Sequence, residues 1–135
     1  MKNSVWIAGV LGAMLFSSCA YQHRLLVNPQ VSLSEPVSTT KLEKAVHETL
    51  MDIGWVIDKE EPGATTAHYT QDKLFAKVRV EYDEKSVIVK HLESKNFMYT
   101  KSPNGQETIH SHYLLWANHI ANNLRDRLKR ELHVG

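Results

Sequence analysis

Three groupings of side chains in this sequence could do chemistry: late histidines, carboxylates beside two turns, and a single cysteine near the start. His110 and His112 lie two apart in IHSHY and would diverge on a helix. His112 and His119 are seven apart and would share a helix face, about 10 Å from each other across two turns. That separation is too long for a pair of zinc ligands, so no metal is expected. These residues read chiefly as surface or edge histidines, with a proton-sensitive contact the lesser reading, and the His112 and His119 side of the last helix is a candidate interaction patch. Asp58, Glu60 and Glu61 form one acidic cluster, and Glu81, Asp83 and Glu84 another. Glycosidic hydrolysis would need two carboxyl groups flanking a cleft at a defined separation. These acids bracket turns beside Lys59 and Lys85, which makes them solvated turn residues. No Gly-rich phosphate loop, paired-cysteine metal motif, serine elbow or HExxH occurs, so neither an enzyme nor a cofactor is expected.

Cys19 has a different setting. Lys2 precedes an apolar run, VWIAGVLGAMLF from Val5 to Phe16, and Ser17 and Ser18 stand directly before the cysteine. Twelve apolar residues are too few to cross a hydrocarbon core, which needs roughly 20, and the layout is that of a signal peptide. Small residues followed at once by cysteine resemble the lipobox of bacterial prolipoproteins. The resemblance implies cleavage after residue 18 and acylation of the Cys19 thiol as the new N-terminus. Phe16 stands where that pattern usually has an aliphatic residue, with Leu15 just upstream. Cleavage near Ala20 without lipid, or retention as an N-terminal anchor, are the alternatives. Ala20, which is not aspartate, implies sorting to the outer membrane, with the domain on its periplasmic side.

Charge limits the partners. The chain has 16 Lys plus Arg against 15 Asp plus Glu, and loss of Lys2 with the leader makes the two equal. Nucleic acid, which is bound through an excess of positive charge, is not an expected partner. The basic segment RDRLKRE, 125–131, ends a helical pattern, where the helix dipole favours cations. With Cys19 consumed by lipid, the remaining chain would have no thiol, and its stability would rest on packing.

These residues must be positioned by a fold of at most 117 residues, enough for one core. Residues 1–18 read as leader. Residues 19–38, with Pro29 and Pro36, read as a lipidated N-terminus and spacer that would lift the domain off the membrane, Leu25 to Val27 docking as a short strand. Residues 39–135 read as the domain. Thr40 and Glu43 fit a capping box, and Leu42, Ala45, Val46, Thr49, Leu50 and Ile53 form one stripe, so a helix is expected over 40–53 with Gly54 ending it. Strands follow at 55–60, 64–70, 74–83 and 86–94, the first two joined by a Glu61-Pro62-Gly63 turn. Ile109, Tyr113, Trp116, Ala117, Ile120, Leu124 and Leu128 predict a last helix over 107–132. Short turns favour pairing of consecutive strands, giving an α+β domain: helix, four-stranded antiparallel meander, helix, in two layers.

On the third strand, Leu74, Ala76, Val78, Val80 and Tyr82 alternate with Phe75, Lys77, Arg79 and Glu81. Phe75 therefore falls on the wetter face, and Phe75, Lys77 and Arg79 become candidate interaction residues unless Leu25 to Val27 or a loop covers them. Trp116, Tyr113 and Tyr82 fall on apolar faces and read as core.

Over residues 42–128 the chain resembles a group of small uncharacterised proteobacterial lipoproteins. The resemblance is carried by Gly54-Trp55, Glu61-Pro62-Gly63, Tyr82, Ser94, Asn96-Phe97, Ile109-His110, Tyr113 and Trp116. Phe75 stands where that group has histidine, and Leu115 where it has asparagine. The resemblance implies an envelope lipoprotein with an α+β domain and brings no activity with it. The expected function is a lipid-anchored, non-enzymatic interaction domain for an envelope-protein or cell-wall partner. A small-ligand domain is the alternative, with an envelope hydrolase behind it.

Overall fold

The computed structural model describes residues 23–134, with the backbone alone for 132–134. The expected leader and Cys19 lie outside the described residues. Eight strands and two helices follow in the order β1 (His23–Leu25), β2 (Gln30–Ser32), α1 (Thr39–Asp52), β3 (Val56–Glu61), β4 (Ala64–Gln71), β5 (Leu74–Tyr82), β6 (Ser86–Lys95), β7 (Thr100–Lys101), β8 (Glu107–His110) and α2 (Ser111–Val134). The result is a mixed domain of two helices and an antiparallel sheet, in roughly two layers. The main sheet runs β2-β6-β5-β4-β3, and a second, β1-β8-β7, sits beside it.

α1 buries the expected stripe of Leu42, Ala45, Val46, Thr49 and Leu50. Its N-cap is Ser38, whose hydroxyl accepts the Lys41 N–H at 3.3 Å, so the capping box expected at Thr40 starts two residues too late. At the other end Gly54 has φ +90°, the Trp55 N–H reaches the Leu50 carbonyl at 2.9 Å, and the Gly54 N–H reaches Met51 at 3.1 Å. This Schellman closure reverses the chain and delivers Trp55 into the core.

β3 to β6 pair consecutively, as a meander requires. On β5 the buried set is Ala76, Val78, Val80 and Tyr82, and Phe75, Lys77, Arg79 and Glu81 lie on the partly open face. The Glu61–Ala64 turn has Gly63 at φ +81°, and a Cβ there would stand 3.4 Å from the Tyr82 carbonyl oxygen. Gly63→Ala should therefore lose about 1–2 kcal/mol, the usual cost of a left-handed L-residue. Urea denaturation checks this, and an unchanged midpoint would contradict it.

Two expectations are corrected. Residues 107–110 are strand, and α2 begins at Ser111. Thr108 and Ile109 are β-branched, and Ile109 is buried whether counted in twos or in helical steps, so the helical stripe absorbed it. Nor are residues 23–37 a free spacer: β1 pairs with β8, β2 pairs with β6 and becomes the edge of the main sheet, and Val31 and Val37 are buried. Residues from His23 on belong to the folded domain. Leu25 and Val27 do not cover Phe75, because they lie on or beside the smaller sheet.

Arg127, part of the basic segment near the chain's end, joins the helices. Its guanidinium donates to Glu48 at 2.9 Å and also to Asp52, both on α1. Among the described residues no helix is long and apolar enough to cross a membrane.

Candidate functional site

The outer sheet face is held together by its own charges. Lys59 meets Glu61 at 3.7 Å, Arg79 meets Glu61 at 3.0 Å and Glu81 at 2.9 Å, and Lys90 meets Glu81 at 2.7 Å. The Arg79 hydrogen bond and the Lys59 charge hold Glu61 below the usual carboxylate range, while Lys90 and then Arg79 do the same for Glu81. Arg79 is thus committed to neighbours on its own sheet. Phe75 is half-buried, with the His68 ring 5.8 Å away and Lys95 Nζ 5.3 Å from its centroid. Lys77 lies between His68 and Glu93 in the strand register. The structure does bring Phe75, Lys77 and Arg79 onto one face, and that face is largely self-satisfied.

The end of α2 nearest the sheet is different. Trp55, Tyr69 and Trp116 form a triangle of rings: Trp55 and Tyr69 stack at 5.5 Å, and Trp116 meets them edge-on at 6.3 and 4.9 Å. Each position follows from a local cause. Trp55 is set by the helix closure at Gly54, Tyr69 by the inward register of β4 opposite Ala76, and Trp116 by the apolar stripe of α2. A groove of about 210 Å³ opens over them, edged by Ile53, Gln71, Leu115 and His119. Leu115 is 64% exposed beside it. The volume is below the usual 300–1,000 Å³ of small-molecule pockets. It suits one inserted side chain or ring.

His112 and His119 flank Trp116 on opposite sides and do not approach each other as ligands would. The His112 ring lies 5.8 Å from Trp116 and 6.4 Å from Phe97, and its backbone N–H donates to His110 Nδ1 at 3.0 Å. His119 is exposed at the groove's rim. Sequence reasoning singled out these histidines but missed Tyr69 and Leu115. The weak alternation of β4 hid the first. The second stands out in the sequence only as an apolar residue where the resembling group has asparagine, and not as part of a site.

Behind Trp116 the aromatic packing continues through Phe97, at 4.9 Å, to Tyr113 and His91. His91 stacks on Tyr99 at 4.6 Å, and Tyr99 donates its hydroxyl proton to Glu107. Burial lowers the His91 pKa below histidine's ordinary 6.5, and the Glu107 charge opposes this. A histidine kept neutral by folding stabilises fully above the unfolded value and loses that contribution as pH falls from there through the lowered folded value. Stability should thus decline between about pH 7.5 and about pH 5.5, and the decline should be shallower in His91→Gln. Urea midpoints at the two pH values test this, and equal slopes in the two proteins would refute it.

Three histidines have partners of the kind catalysis uses. His68 Nδ1 donates to both Asp58 oxygens at 2.8 Å, and His47 is bonded to Glu60. Among the described residues neither is bonded to a serine, threonine or cysteine that it could activate. His91 Nε2 and the Ser94 hydroxyl are 2.9 Å apart, but among the described residues no acid is bonded to Nδ1, and the groove over Trp116 is not lined by them. Among the described residues no three His, Cys, Asp or Glu side chains gather as a metal site would require. Compared with protein-family models, with curated proteins and with solved structures, the chain matches none.

Proposed function

We propose that this chain is a lipid-anchored envelope protein, attached through Cys19 to the periplasmic side of the outer membrane, whose domain is a non-enzymatic interaction module. Its contact surface is the groove over Trp116. The observation carrying this reading is the triangle of Trp55, Tyr69 and Trp116, floored by the core and edged by exposed Leu115 and by polar Gln71 and His119. Buried aromatic anchors with a polar rim are how protein interfaces concentrate their affinity. The Lys2, apolar-run and Ser17-Ser18-Cys19 sequence supports the anchor. The outer sheet face is the weaker candidate, since its charges already pair with one another.

A second reading, binding of a small anionic ligand or cell-wall fragment, draws on a larger depression of about 470 Å³ between β2 and α2. Val31 and Leu128 lie within it, with Arg125, Lys129 and the acid Glu35 among its lining residues. That volume is within the range of ligand pockets.

A photo-crosslinking amino acid at Leu115 separates the readings in intact cells. Leu115 is exposed, so the substitution leaves the fold in place. The expected result is a discrete protein adduct at 115 that is absent when the same group is placed at Phe75. No adduct at 115, or the same adducts at both positions, would remove the groove as the contact surface.

A further inference from the structure

By the fourth residue after Cys19 the chain is already in a strand of the domain, and exposed apolar side chains lie on and beside that strand. We infer that the small-sheet end of the domain, where Leu25, Val27 and Met98 are exposed, lies against the phospholipid bilayer. This rests on the reading of Cys19 as the acylated N-terminus.

Only Ala20, Tyr21 and Gln22 separate Cys19 from His23, the first residue of β1. Fully extended, that connection spans no more than about 14 Å. The headgroup region of one leaflet is roughly 5–8 Å deep, so β1 starts at or just above the lipid surface. Residues 23–37 of the spacer that would have lifted the domain away are instead built into it, through β1, β2, Val31 and Val37.

What β1 presents there fits lipid. Leu25 is 52% exposed, Val27 65% and Met98 55%. His23 Nε2 donates to the Met98 carbonyl at 3.2 Å, and the His110 N–H donates to the Phe97 carbonyl at 2.8 Å. Met98 therefore sits at the His23 end of the same three-stranded sheet. Its exposure is imposed by the backbone: Asn96 and Met98 have φ +65° and +56°, left-handed values on either side of buried Phe97. Asparagine tolerates that region, and methionine seldom adopts it. The chain holds Met98 out at a conformational cost.

The test uses the chain's single cysteine. With Cys19 acylated, an introduced cysteine is the only free thiol, so Met98→Cys and Lys44→Cys take a fluorophore at one site each. The full-length acylated proteins are reconstituted in phosphatidylethanolamine vesicles containing phosphatidylglycerol, with a quencher on the lipid acyl chains near the headgroup. Quenching at 98 should exceed that at 44 several-fold. Adding Leu25→Glu and Val27→Glu, both at exposed positions, should bring the signal at 98 down to that at 44. The mass of the N-terminal peptide is measured on the same samples. Equal quenching at the two sites with Cys19 acylated would overturn this inference and leave the anchor intact. An unmodified Cys19 would overturn the anchor, and the inference with it.

Discussion

Phe97→Ala should cost about 3–5 kcal/mol of folding stability, the largest loss expected from any single truncation in the aromatic core. Its ring is 1% exposed and meets Trp116 at 4.9 Å, Tyr113 at 6.0 Å and His112 at 6.4 Å. Alanine leaves a cavity that the surrounding rings cannot easily fill. Trp116 is held from its other side by Tyr69, and Tyr113 by His91. The neighbourhood is also anchored by backbone, since the Asn96 amide donates to the Lys73 carbonyl at 2.5 Å and the Phe97 carbonyl receives the His110 N–H. Domains of this size are stable by only about 5–15 kcal/mol, so the variant should lie near the edge of folding. At about 4 °C per kcal/mol, the melting temperature should fall by roughly 12–20 °C. Phe97→Leu keeps a bulky apolar side chain and should lose on the order of 1–2 kcal/mol. Thermal and urea unfolding of the two variants provide the measurement. A loss below 1 kcal/mol for alanine would mean that the groove's floor is not braced from behind.

That residue also shows where sequence reading stopped. β5 was legible because its alternation is uninterrupted from Leu74 to Tyr82 and one face is buried outright. The α1 stripe and the Gly63 turn were legible for equally local reasons, a 3.6-residue period and a position that requires positive φ. Phe97 was not, because it follows the end of β6 and is turned inward by two left-handed residues, a device with no periodicity. Val31 and Val37 were hidden in the same way among prolines. Their burial depends on β2 finding the edge of β6, a contact that forms between residues more than fifty apart in the chain. The site divides along the same line. The face of Phe75, Lys77 and Arg79 follows from alternation, but its internal ion pairing depends on Glu61 and Lys90 from other strands. His112 and His119 could be placed on α2, but the groove between them needed Trp55 from the α1 closure and Tyr69 from β4.

Cys19→Ser should move the protein from the membrane fraction to the soluble periplasm almost completely, with no change in the folding of the domain. The proposed diacylglyceryl group would be attached through the sulfur, and serine offers no thiol for that bond. Each buried methylene contributes about 0.8 kcal/mol to membrane affinity, so one acyl chain holds marginally and two hold stably. Without the lipid, the exposed Leu25, Val27 and Met98 are the remaining lipid-facing contribution, a few side chains where stable binding takes two signals. Position 19 lies before the first strand at His23, so the urea midpoint should agree with the parent domain to within about 0.5 kcal/mol. Fractionation with N-terminal mass determination also separates the alternatives. If the leader remained as an anchor, Val5 to Phe16 would keep the Cys19→Ser protein in the membrane. If the chain were secreted without lipid, parent and variant would be equally soluble. Only acylation at Cys19 makes a single sulfur-to-oxygen change shift the location of the whole protein while its folding stays the same.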